Sequence, residues 1–161
     1  MNIRIMGSEI IFSRNYKELI QLSTMDERFE YLKLGGIVGK STFGGERYLN
    51  QILYTSTEWR LFRDKIIIRD NGCDMAMPGY YITPAFSDRR LKGREDYIII
   101  HHINPLTIDD VYKRSEALFD PNNVVCVSPR THRAIHYGDK SLIPQEYIER
   151  RPGDHCPWKM I

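Results

Sequence analysis

The sequence predicts an α+β fold, because two short apolar segments typical of strands lie among longer stretches with helical periodicity. These segments are residues 97–100 and 124–127, and a helix signal follows the second one at once. At 161 residues the chain is long enough for one main domain. Within it we expect residues 1–69 to form a mainly helical N-terminal extension, residues 94–138 a core and residues 139–161 a C-terminal arm.

The N-terminal half carries helix signals after a short strand-like opening. Residues 1–34 predict that strand and then polar helical segments. Tyr48 and Ile52, with Leu49 and Leu53 as further candidates, are expected on the apolar face of a helix. Ser56 or Thr57 is placed to start another helix, because serine and threonine are favoured N-cap residues. Three residues that follow at helical spacing are expected in the core: Trp59, Phe62 and Ile66.

Two dipeptides mark turns in the middle of the chain. Asn71-Gly72 and Pro78-Gly79 are typical of tight turns, so we expect short strands linked by them. The C-terminal half then predicts a buried strand over residues 97–100, which Pro105 ends. Thr107 is placed to cap a helix that continues until Asp120.

The last predicted elements are a strand and a helix. Residues 124–127 are a second apolar run of strand length. Ser128 is a favoured N-cap, Pro129 fits the first helical turn, where a missing N–H costs nothing, and Gly138 is placed to end the helix.

Composition excludes several classes of protein. No apolar run approaches the roughly 18 residues of a membrane span, and the start of the chain lacks the pattern of a signal peptide, so we expect a cytoplasmic protein without a membrane partner. Three widely spaced cysteines, Cys73, Cys126 and Cys156, predict neither a disulfide framework nor a zinc ribbon. The net charge of +2 means that any surface for nucleic acid must come from a local cluster, and the basic segment SDRRLKGR (residues 87–94) is the best candidate.

Four of the five histidines fall within residues 101–136, which points to a metal site. His132 and His136 are four apart on the predicted helix, so both imidazoles project from one face and could share a cation. The end of the first strand could bring His101 or His102 to the same cation. Adjacent strand residues point to opposite sides, so one of this pair would bind the ion and the other would be free.

A free histidine beside a metal-bound phosphate is suited to take a proton from water near neutral pH. Such a base needs a hydrogen-bond acceptor that fixes its tautomer and orientation. Asn123, at the start of the second strand, has a side-chain carbonyl suited to that work.

The motif HHINP, the asparagine of NVVCV and the histidine of THRAIHYGD together resemble the HNH endonucleases, which have a ββα-metal fold. The resemblance is strongest over residues 94–138. A looser resemblance to phage-encoded HNH proteins extends upstream and downstream of this range. It implies that His102 is the general base and that Asn123 orients it. It also implies that His101 and His132 are metal ligands and that His136 is an additional ligand.

The resemblance implies one divalent cation, with Mg²⁺, Mn²⁺, Ni²⁺ and Zn²⁺ as candidates, and DNA as the partner. Hydrolysis would leave 5′-phosphate and 3′-hydroxyl ends. The residues expected to contact DNA phosphates are Arg89, Arg90, Lys92, Arg94, Arg130 and Arg133. Phage packaging proteins or a second copy of the chain are further partners that fit this family, and the cytoplasm of an infected host is the matching location.

The sequence also departs from the family. Many HNH proteins hold a structural zinc with two cysteine pairs, but here Ser128 and Thr131 occupy one pair of places and alanine stands at position 76, so we expect no structural zinc. A second hypothesis, from a different class, is a DNA-binding or packaging-complex module whose metal site holds structure and whose cleavage is weak or lost. A third, a nucleotidase built on GIVGKST, fails because position 34 is leucine where a phosphate loop needs glycine.

Overall fold

A computed structural model describes residues 3–6, 9–12, 14–34, 47–82 and 97–143, and for residues 3–6, 9–12 and 47–50 it describes the backbone alone. Helices and two small antiparallel sheets make up this part of the chain, which confirms the α+β class. The first sheet is a hairpin of strands β1 (Ile3–Met6) and β2 (Glu9–Phe12). The segment GIVGKST (residues 36–42), on which the nucleotidase hypothesis depends, lies outside the described residues.

In the described ranges between residues 14 and 69, the helices are α1 (Tyr16–Leu19), α2 (Met25–Leu32), α3 (Arg47–Thr55) and α4 (Thr57–Arg69). The Ser56 side chain caps α4 by accepting a hydrogen bond from the Trp59 N–H, as the sequence predicted. Leu53 is buried as expected, but the expectation for Ile52 was wrong, because its side chain is 53% exposed.

Residues 70–82, which follow α4, form a compact double turn. Asn71, Gly72 and Gly79 all have positive φ, which confirms the two predicted turns. The expected strands between them reduce to one isolated bridge, Cys73 to Tyr81, because the turns use most of the available residues.

The second sheet consists of β3 (Ile99–His102) and β4 (Val124–Val127), paired antiparallel with His101 opposite Val125. We expected the first strand at residues 97–100, but it begins and ends two residues later, so both histidines belong to it. The helix capped by Thr107 is also shorter than expected. Helix α5 (Ile108–Tyr112) ends early because Arg114 takes a left-handed φ of 49°, and two short 3₁₀ turns lead on to β4.

Helix α6 (Pro129–Tyr137) begins directly after β4 and ends at Gly138, whose φ is 65°. Two apolar clusters cover the two faces of the β3–β4 sheet. One joins β4 and α6 to the N-terminal helices, and includes Leu19, Phe29, Leu32, Val125, Val127, Ala134 and Ile135. The other packs α4 on the opposite face and includes Trp59, Phe62, Ile66, Ile100, Val124 and Cys126. Because β3 is covered on both sides, its two histidines enter different environments.

Candidate metal centre

Three histidines from two elements meet on the α6 face of the sheet. His101 projects from β3, and His132 and His136 project from α6. The pair on α6 faces the sheet because residues four apart lie one above the other on a helix. The helix is held at its start by Ser128, whose side chain accepts a hydrogen bond from the Thr131 N–H.

The three rings are close enough to share one ion. The ring centroid of His101 lies 5.3 Å from that of His132 and 5.3 Å from that of His136. The Nε2 atoms of His132 and His136 are 3.1 Å apart, and one ring nitrogen from each of the three histidines lies within 4.8 Å of the others. This histidine triad could hold a metal ion.

One atom of the triad lacks a partner in the described structure. The His101 side chain is 3% exposed, and its Nε2 atom is buried without a hydrogen bond to any described residue. A buried polar atom without a partner is costly, and such atoms are rare in folded proteins. Imidazole nitrogen is a usual ligand for Zn²⁺, Cu²⁺, Ni²⁺ and Fe²⁺, so the donor set fits a divalent cation.

The environment keeps the triad neutral, which is the form that binds metal. Burial, with smaller contributions from His132 and His136, holds the pKa of His101 well below its usual value. Burial lowers the pKa of His132 to about 4, and it also lowers the pKa of His136. At neutral pH each of the three rings therefore offers a lone pair without first losing a proton.

His102 lies on the other face of β3, as the alternation of strand side chains predicts. Its ring stacks on Trp59 with centroids 5.7 Å apart, and its Nε2 atom lies 3.2 Å from the backbone oxygen of Leu118. A carbonyl only accepts, so Nε2 carries the proton and Nδ1 has the lone pair when the ring is neutral. Burial lowers the pKa of His102 to about 4, against a smaller raising effect of the Leu118 carbonyl and Asp110.

The predicted contact between Asn123 and His102 is wrong. Asn123 Oδ1 accepts hydrogen bonds from the backbone N–H of Asn104 at 3.0 Å and from its Nδ2 at 2.7 Å. Asn123 Nδ2 donates to the Ala117 carbonyl at 3.2 Å. The asparagine therefore ties the segment after β3 to the 3₁₀ turn Glu116–Leu118, and Leu118 of that turn supplies the backbone oxygen that fixes His102.

The six basic residues expected to contact DNA are only partly described. Arg89, Arg90, Lys92 and Arg94 lie outside the described residues. Arg130 and Arg133 are exposed on α6, the helix that carries two of the triad histidines.

Arg14 is a further cation near the triad that sequence reasoning missed. Its NH1 group donates to the carbonyls of Tyr31 and Lys33, and its main chain exchanges two hydrogen bonds with the Asn104 side chain. Leu34 continues this connection by donating to the Ile135 carbonyl on α6. No carboxylate among the described residues forms an ion pair with Arg14.

Trp59 and Leu118 were missed as supports of His102 because their contacts bridge elements that are distant in sequence. No spacing of residues along the chain predicts these contacts. Trp59 had a signal only as a core residue, and Leu118 contributes a backbone atom, which its side chain does not reveal.

Comparisons of the chain with protein-family models, curated proteins and solved structures find no match. In the described part of the chain, no helix is both long enough and apolar enough to span a membrane. A functional assignment therefore depends on the chemistry of the histidine residues.

Proposed function

We propose that the protein is a metal-dependent endonuclease that hydrolyses DNA phosphodiester bonds, and that β3, β4 and α6 form a ββα-metal core of the HNH type. One observation carries the proposal. Three neutral histidines converge on one face of β3, and a fourth, His102, follows immediately on the same strand but on its other face, with its tautomer fixed by a carbonyl. A histidine next to a metal ligand, with one ring nitrogen free to accept a proton, is the arrangement that a general base requires.

The charges around the triad favour an anionic substrate. Neutral imidazoles leave the charge of a divalent cation uncompensated, and the group of three potential ligands contains no carboxylate. Arg14 adds another positive charge that influences His101. A phosphodiester would supply the missing negative charge, and the exposed Arg130 and Arg133 on α6 would support the neighbouring phosphates.

In the proposed mechanism, His101, His132 and His136 hold the cation. When bound, the cation would supply charge stabilisation at the scissile phosphate and the leaving 3′-oxygen. His102 would accept a proton from the attacking water at Nδ1 while its Nε2–H remains on the Leu118 carbonyl. The lowered pKa keeps this base unprotonated, and an adjacent anionic phosphate would raise that pKa towards neutrality.

A second candidate function is a DNA-binding or packaging-complex module whose metal is structural. It is favoured by the enclosure of His102, which is only 8% exposed and is covered on one face by Trp59. A general base must reach water, so this candidate predicts metal binding without cleavage.

The test is a supercoiled-plasmid assay with Mg²⁺, Mn²⁺, Ni²⁺, Zn²⁺ and chelator, together with calorimetric metal titration. We expect His102→Ala to bind metal and lose cleavage, because the substituted ring is not a ligand. His101→Ala should lose both, since it removes one of three donors. His155→Ala, which changes the one histidine outside residues 101–136, is the matched control and should retain both.

Metal binding without cleavage by the folded wild type would favour the binding module. Cleavage by His102→Ala equal to that of wild type would refute the role of this residue as the base.

A further inference from the structure

Among the described residues, no strand pairs with the second edge of β4. Its first edge pairs with β3, and its second edge faces the segment that follows α4. Buried backbone N–H and C=O groups at such an edge must find other partners, because leaving one unpaired costs free energy comparable to a lost hydrogen bond. Here the partners come from residues 69–75, which lie about 50 positions upstream.

Three side chains and one backbone N–H form hydrogen bonds with the backbone groups along this edge of β4 and at its end. The Arg69 guanidinium donates to the Val124 carbonyl at 2.8 Å, and Asp70 accepts from the Cys126 N–H at 2.9 Å. Arg69 and Asp70 also pair with each other, with Nε and Oδ1 2.7 Å apart. The guanidinium lies over the Tyr16 ring, 3.6 Å from its centroid, which holds the pair in place from the N-terminal side.

The remaining contacts lie where β4 meets α6. Met75 N–H donates to the Cys126 carbonyl at 2.9 Å, and the Ser128 N–H donates to Asp74 Oδ2 at 2.9 Å. Asp74 Oδ1 accepts a hydrogen bond from the Ala76 N–H at 3.0 Å. The segment thus replaces a third strand, with two carboxylates and a guanidinium in the places of peptide groups.

Asp74 has the most specific of these positions, because its partner Ser128 is the N-cap of α6. Asp74 is 1% exposed, so it lies fully inside the protein. The Ser128 hydroxyl in turn contacts the Thr131 hydroxyl at 3.0 Å, and the Ser128 carbonyl accepts from the His132 N–H at 2.8 Å. The chain of contacts therefore runs from Asp74 through the cap to a residue of the histidine triad.

We propose that Asp74 is a positioning residue for the metal centre: by fixing the cap of α6 against β4, it sets the distance between His101 on the sheet and His132 and His136 on the helix. The proposal rests on the metal binding in the proposed function. His132 lies only one helical turn after the cap. A displacement of Ser128 should therefore move the imidazole of His132 by nearly the same distance.

A carboxylate suits this position better than its neutral analogue. Both oxygens face N–H donors, and an amide would turn an NH₂ group towards one of them. Negative charge is also favourable beside a helix N-terminus. Burial raises the pKa of Asp74, opposed by these hydrogen bonds. Asp74→Asn is thus nearly isosteric but loses one acceptor.

The experiment compares wild type, Asp74→Asn and a stability control, Ile66→Val, which shortens a buried side chain of α4 away from the cap. The first readout is titration with Co²⁺, followed by its visible d–d absorption. The second is the nuclear Overhauser effect between the His101 and His132 rings in metal-free protein. Thermal unfolding and circular dichroism establish that each variant is folded and measure its loss of stability.

We expect Asp74→Asn to bind Co²⁺ at least about tenfold more weakly, at the lower end of the 10–100-fold losses typical when outer-shell support of a metal ligand is removed. We also expect a weaker ring-to-ring effect, with both readouts unchanged in Ile66→Val. Folded Asp74→Asn with wild-type Co²⁺ affinity and an unchanged ring-to-ring effect would overturn the proposal, because Asp74 would then be only a stabilising residue.

Two further results are distinguishable. If wild-type protein binds no Co²⁺, the proposed metal centre fails, and the ring-to-ring effect alone decides the role of Asp74. If Asp74→Asn does not fold, Thr131→Val replaces it. This variant removes the hydroxyl that contacts Ser128, and the same two readouts should fall by smaller amounts. Unchanged readouts would overturn the proposal here too.

Discussion

Replacement of Asn123 by alanine should destabilise the protein whether or not metal or DNA is present. The side chain is 5% exposed and makes three hydrogen bonds, two with Asn104 and one with the Ala117 carbonyl. At about 0.5–1.5 kcal/mol each, three hydrogen bonds give a loss of about 1.5–4.5 kcal/mol in the free energy of unfolding. For a chain of this size a loss near 3 kcal/mol lowers Tm by about 6–12 °C.

Urea unfolding of metal-free protein, followed by far-ultraviolet circular dichroism, measures this loss. The matched control is Asn122→Ala, the same substitution one residue earlier, where the side chain is exposed. We expect the control to stay within about 0.5 kcal/mol of wild type, as surface substitutions usually do. If Asn123→Ala also stays within about 0.5 kcal/mol, the reasoning from these three hydrogen bonds is refuted and a role confined to catalysis regains support.

Two further predictions follow from the histidines and from Arg14. The free energy of unfolding of metal-free protein should fall as pH drops from 7 to 5. In the folded protein the pKa values of His102 and His132 are lowered to about 4, so these rings stay neutral over this range. In the unfolded chain the same rings bind protons from about pH 6.5 downwards, which favours the unfolded state. Urea unfolding at both pH values measures it, and equal stability would contradict the neutral triad. Arg14→Gln should weaken binding of a short DNA duplex several-fold and reduce its salt dependence, because it removes a cation that would contact phosphate. It should not weaken Co²⁺ binding, because it removes a positive charge near the triad and leaves all three histidines in place. Fluorescence anisotropy at two salt concentrations measures the affinity for DNA. The control is Lys113→Gln, which removes an exposed cation on the α5 side. Equal losses of DNA affinity in the two variants would count against a role of Arg14.

Local signals were enough to predict the elements that carry the triad. Ser128, Pro129 and Gly138 act within one helix, so their roles follow from backbone geometry that is independent of the rest of the fold. The separation of His101 from His102 follows from the pleat of a single strand. These features needed no knowledge of tertiary contacts.

The supports of the site could not be predicted in this way. Asp74 reaches Ser128 across 54 positions, and Arg14 reaches Asn104 across 90. Such contacts have no periodicity along the chain, and an aspartate or arginine in a turn is most often solvated. The error on Asn123 has the same origin, because its actual partner, Asn104, lies in a loop whose path depends on how β3 and β4 pair.

The register between β3 and β4 decides which histidine is in which environment. Each of these strands has four residues, and His101 stands opposite Val125. An insertion of one residue inside β3 reverses the faces of everything beyond it, so His101 would leave the triad and the ring beside Trp59 would be lost. An insertion of two residues preserves the faces but shifts both rings along the sheet by about 7 Å. We therefore expect length changes in this protein to be tolerated outside β3 and β4 far better than within them.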